Sequence, residues 1–179
     1  MEKRTLIVIV VLLCFCFAAG AIEPGIRIVK VQDVVHSISV EKLDRTPPFI
    51  VIKDSFDLTQ EPLSQVGVSL SFTEAGVLRS LVINVTSDAS FIPSGEIVWR
   101  FSTADCLPLY CTPHSKMLQN GRTEYTLTYL GNLAELYKRL SNNVAANPLL
   151  ELYSKKSTIQ RLILPSEFFK LISELAGKE

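Results

Sequence analysis

Between Ile22 and about Tyr129, apolar residues recur mostly at every second position, the spacing of strands rather than of helices. Ile26 to Val31 mixes this alternation with β-branched residues. In the next run Val34, His36, Ile38 and Val40 share one face, with Val35, Ser37 and Ser39 on the other. Phe49 to Ile52 is a short apolar run after the Pro47-Pro48 break. Val66, Val68, Leu70 and Phe72 alternate cleanly with Gly67, Ser69 and Ser71. The turn residues Thr73-Glu74-Ala75-Gly76 then lead into Val77 to Val85, which predicts a hairpin. Ile97, Trp99 and Phe101 predict another strand. Asn120-Gly121 is a turn signal before Thr123 to Tyr129, in which Tyr125, Leu127 and Tyr129 share a face.

After Tyr129 the period changes. Leu133, Leu136, Tyr137, Leu140 and Val144 form one helical stripe, which Asn132 can cap. Asn147-Pro148 breaks the run and predicts a second short helix through Leu149, Leu150 and Tyr153. Thr158 to Leu164 reads as a late strand. Pro165 to Ala176 reads as a helix with Phe168, Leu171, Ile172 and Leu175 on one face and Gly177 as its stop. The expected fold is therefore mainly β (α+β): an antiparallel sandwich of about seven strands over 22–130, with a helical portion over 131–179 packed on it.

The N-terminus carries an address. Lys3 and Arg4 precede the apolar run Leu6 to Phe17, and Ala19-Gly20-Ala21 offers small residues for cleavage. Counted out to Ala21, the apolar stretch would span about 24 Å as a helix, short of a hydrocarbon core of about 30 Å. Residues 1–21 are thus expected to be a signal peptide and the chain to be secreted or extracytoplasmic. Membrane contact would come only from an uncleaved N-terminal segment. The remaining 158 residues hold 16 basic and 17 acidic side chains, a formal charge of −1. That balance argues against nucleic acid as a partner.

Cleavage also removes Cys14 and Cys16 and leaves Cys106 and Cys111. In an exported chain that parity predicts one disulfide across a tight loop. Asn84-Val85-Thr86 is the one glycosylation sequon, so Asn84 is the candidate acceptor. The same cysteine segment admits a metal reading. Cys111, His114 and Met117 supply thiolate, imidazole and thioether, a soft set suited to copper. The words Tyr110-Cys111-Thr112-Pro113-His114, followed by Met117, resemble the ligand loop of the cupredoxins, small blue-copper electron carriers. The resemblance covers Tyr110–Met117 only. It implies a copper cofactor bound by Cys111, His114 and Met117, with His36 as the fourth ligand, and a β-sandwich fold.

His36, between Val34 and Ile38, otherwise reads as a partly buried histidine with one hydrogen bond. No nucleophile elbow, Walker loop, zinc-protease pair or dinucleotide fingerprint occurs. Asp54, Asp57, Glu61, Glu74, Asp88 and Glu96 are scattered through expected loops and strand ends. The expected function is that of a non-catalytic binding or assembly protein, a subunit of an extracytoplasmic complex or fibre. Strand exchange through Ile22 to Val40 is its specific form. The alternatives are the copper carrier and a carrier of hydrophobic ligands held between sheet and helices.

Overall fold

In the computed structural model, which describes residues 22–59, 62–142 and 147–176, the alternation becomes ten strands. They are β1 (Gly25–Val31), β2 (Val34–Leu43), β3 (Phe49–Asp57), β4 (Leu63–Thr73), β5 (Leu78–Ser87), β6 (Pro93–Arg100), β7 (Cys106–Met117), β8 (Thr123–Tyr129), β9 (Leu149–Ser154) and β10 (Ile159–Ile163). The helices are α1 (Leu133–Ser141) and α2 (Ser166–Ala176). The signal segment, Glu61, Val144 and Gly177 lie outside the described residues.

The chain is mainly antiparallel β, as the alternation predicts. Hydrogen bonding is continuous through one nearly closed ten-stranded sheet, ordered β1-β2-β3-β4-β5-β8-β7-β6-β9-β10. A sandwich of about seven strands would need two separate layers. Here β7 joins what those layers would be: Cys106 to Tyr110 pair with β6, and Cys111 to Met117 pair with β8.

The bend is made possible by Gly95. It sits at φ +95°, within the register shift between β6 and β9, and a Cβ there would overlap the Cys111 carbonyl oxygen. A second close approach is at Gly76, in the β4–β5 turn. With φ +80°, it passes the Leu175 carbonyl so closely that a Cβ would lie 2.8 Å from that oxygen.

The region after Tyr129 is only half helical. Asn132 caps α1 as expected, its Oδ1 accepting from the Glu135 amide at 3.0 Å. The expected helix through Tyr153 is instead strand β9, paired with β6 and β10. Its Leu150, Leu152 and Ser154 face inward, whereas Glu151 and Tyr153 face out toward arginines. Thus β9 and β10, within the stretch expected to be helical and packed on the sheet, are strands of that sheet.

Inward side chains from both halves of the sheet form one core with the helices. Phe168, Phe169, Leu171, Ile172 and Leu175 of α2 have no solvent exposure. Trp99 meets Phe169 edge-on at 5.5 Å, and Phe72 meets Tyr137 at 5.6 Å.

Candidate functional site

The segment Cys106 to Met117 is a strand throughout, not a tight loop. Period-two alternation puts Leu107, Leu109 and Cys111 on the inner face and Cys106, Pro108 and Tyr110 on the outer one. Five extended steps separate the two Cα atoms by about 16 Å, against the ~4.4–6.8 Å that a disulfide spans. Both sulfurs are free thiols in the structure, Cys106 exposed and Cys111 buried. Burial pushes the Cys111 thiol up to about 11, so it stays protonated and unreactive at neutral pH. The chain beginning at Ile22 is expected to take up one thiol reagent when folded, at Cys106, and a second only after unfolding. Mass spectrometry of the labelled chain reads this directly, and two labels or none on folded protein would contradict the placement.

The copper set is not brought together either. His114 lies on the strand face opposite Cys111 and Met117, and six extended steps (about 20 Å) separate the last two. His36 is on β2, with β3, β4, β5 and β8 between it and β7. No group of three or more metal-ligating His, Cys, Asp or Glu side chains occurs among the described residues.

His36 instead meets Asp54. Its Nδ1 lies 2.8 Å from Asp54 Oδ2, and its ring lies against Phe56, tilted by 43° with centroids 4.4 Å apart. Both residues are essentially without solvent exposure, and Asp54 Oδ1 has no hydrogen-bond partner. Burial raises the Asp54 carboxyl above its ordinary value, and the hydrogen bond from His36 offsets only part of this. In sequence, Asp54 follows the expected strand end at Ile52. Its phase with Ile50, Ile52 and Phe56 is the signal that places it inward.

On the outer face, Glu151 is nearly buried between Arg100 Nη2 at 3.0 Å and Arg161 Nε at 3.1 Å, with the Tyr153 hydroxyl donating to it at 3.2 Å. The Arg100 guanidinium holds its carboxyl below the usual range. Arg100 is therefore tied to Glu151 in a structural network. Asn84 sits mid-strand on β5, opposite Gly67, with its Oδ1 accepting from Thr126 at 3.0 Å. Thr86, on the same face, lines with it a shallow polar recess of about 140 Å³ that also includes Lys53, Gln65 and Glu124.

Among the described residues the sheet leaves an edge open at β1, at β10 and on each half of β7, and they differ; the Cys106–Tyr110 half of β7 pairs with β6 alone and carries Pro108. The upper half of β7 has no second strand partner among the described residues, but it carries Pro113 and Lys116, which block strand addition. At the end of the sheet, β10 has five residues and presents Arg161. The other end, β1, is seven residues long, without proline, and holds Ile26 at 72% and Ile28 at 66% exposure beside Val35 at 54%. In register, Ile26 lies across from Ser39, Ile28 from Ser37 and Lys30 from Val35, so the exposed Ile26, Ile28 and Val35 share the outer face of this edge with Lys30 and two serines. The segment expected to exchange strands is thus the first hairpin of its own sheet, with its far side unpaired.

The interior space needed by a hydrophobic-ligand carrier is occupied by Trp99, Phe72, Phe91, Phe168 and Phe169, all fully buried. No family model matches the chain, and comparison with curated proteins and with solved structures finds no match.

Proposed function

We propose that this chain is an exported, non-catalytic assembly protein that joins a second copy of itself by antiparallel pairing of β1 with β1. The observation that carries this reading is the open, proline-free β1 edge, with Ile26, Ile28 and Val35 exposed on its outer face beside Lys30. Two further features support it. A strand edge is self-complementary about a two-fold axis, so one surface serves both partners and the assembly closes as a pair. The formal charge of −1 expected for the chain from Ile22 onward leaves little repulsion between copies.

Pairing would satisfy the outward backbone groups of β1 and would cover the two isoleucines. Export rests on the N-terminal pattern from Lys3 to Ala21. Hydrogen exchange tests the pairing on the chain beginning at Ile22. Amides of β1 are expected to exchange more slowly as protein concentration rises, while those of β10 stay constant. Rates at β1 that do not change with concentration would overturn the reading.

A further inference from the structure

We propose that His36 and Asp54 form a proton-operated latch on the β2–β3 ladder, which takes up one proton from solvent and so tightens the seating of the edge strand β1. The geometry carries the inference. At 2.8 Å, Nδ1 and Oδ2 must share a hydrogen, and no solvent reaches Asp54 to screen a net charge. With the imidazole neutral and the carboxylate ionised, the core holds one uncompensated negative charge whose Oδ1 has no donor. One further proton on the pair removes that net charge, either as imidazolium–carboxylate or as imidazole–carboxylic acid.

The latch touches the edge directly. Val29 of β1 pairs with His36, and His36 pairs with Phe56 on β3. Among the charged groups on neighbouring elements, Arg27 of β1 lies on the same sheet face but is exposed, and Lys30 is on the opposite face. On β2 and β3, Glu41, Lys42 and Asp57 are exposed at strand ends, and Lys53 points to the outer face. β4 carries no charged residue. On α2, Glu167 lines the recess beside Val29 and Val31, and Lys170 and Glu174 are exposed. Of all these, none moves the Asp54 carboxyl; His36 is the one charge partner that does.

The sign follows from Asp54. A carboxyl whose folded value is raised contributes most below its ordinary value of 3.8 and loses that contribution as pH rises through the folded value. The hairpin is therefore tightest in acid and loosens as pH rises through the folded value of the carboxyl. At the acid end Glu151 acts in the opposite direction. Its carboxyl is held below 4.5, so its contribution is present above that value and is lost on further acidification.

This inference stands on the interior of one chain and does not require self-assembly. Its test uses the chain from Ile22 onward at a dilution where sedimentation shows a single chain, so that association does not contribute. Hydrogen exchange in the β1–β2 hairpin, corrected for the intrinsic pH dependence of amide chemistry, reads the opening equilibrium upward from the ordinary carboxyl value of 3.8 into the alkaline range. Opening is expected to increase with pH, by up to tenfold per unit at the steepest point. Asp54→Asn keeps a hydrogen bond to Nδ1 without a charge and is expected to flatten that dependence. The apolar pair His36→Phe with Asp54→Leu gives the same flat profile should the asparagine chain fold poorly. An unchanged slope in the substituted chains, or no slope in the parent, would overturn the latch. A failure of self-assembly would leave these profiles as they are.

Discussion

Ile28→Lys is expected to convert the assembled protein to single chains and to leave the melting temperature unchanged at dilutions where both proteins are single chains. Ile28 is 66% exposed on its own chain, so replacing it removes little from the core, and the fold should change by no more than about 0.5 kcal/mol. In a β1–β1 pair the same side chain is covered on both copies. Covering an isoleucine contributes about 1.5–3 kcal/mol, and the substitution also brings two ammonium groups toward each other across the two-fold axis. The dissociation constant should therefore rise by at least about a hundredfold. Sedimentation velocity reads the change in mass and thermal unfolding reads the fold. Ile159→Lys on β10 is the matched control and should leave the mass as it was. Equal effects at both edges would point to general stickiness rather than to β1.

Gly95→Ala is expected to cost about 3 kcal/mol or more, a large share of the 5–15 kcal/mol typical of a domain. Two penalties combine. The backbone at φ +95° is strained for any L side chain, by about 1–3 kcal/mol. The new methyl would also overlap the Cys111 carbonyl oxygen, which belongs to the strand at its change of partner, and such overpacking costs about 1–3 kcal/mol. Gly121→Ala separates the two effects, because its φ is +78° but nothing lies within 4 Å of the added atom. It should cost only the backbone strain. Urea unfolding followed by Trp99, the single tryptophan, measures both. A loss below about 1 kcal/mol at Gly95 would mean that β7 does not turn there.

Much of this architecture is legible in residue alternation. The strands from Val34, Val66, Val77 and Thr123, the α1 cap at Asn132 and the buried face of α2 all lie where periodicity places them. The failures have local causes. Pro108 and Pro113 disguise β7 as a loop; the strand tolerates Pro113 because that half has only β8 as a partner. In β9 the neighbouring Leu149 and Leu150 mask a period of two and mimic a helical stripe. Long-range pairing decided it, since β9 completes the sheet beside β6. Closure itself depends on one glycine contacting a carbonyl sixteen residues later, which no short window contains.

The candidate site was partly visible. His36, expected to be partly buried with one hydrogen bond, is fully buried and makes that contact with Asp54, which lies two residues past the expected strand end. The rare side chains of Cys106 to Met117 drew attention because of their chemistry, but alternation distributes them over both faces of one strand. Alternation places the exposed isoleucines of β1 in a strand. Their solvent-facing position became apparent only once the sheet order put β1 at an end.

Multi-angle light scattering on the chain beginning at Ile22, followed across a dilution series, tests self-association most directly. The expected result is twice the single-chain mass at high concentration, falling toward one chain on dilution. A mass of one chain at every concentration up to the solubility limit would contradict it.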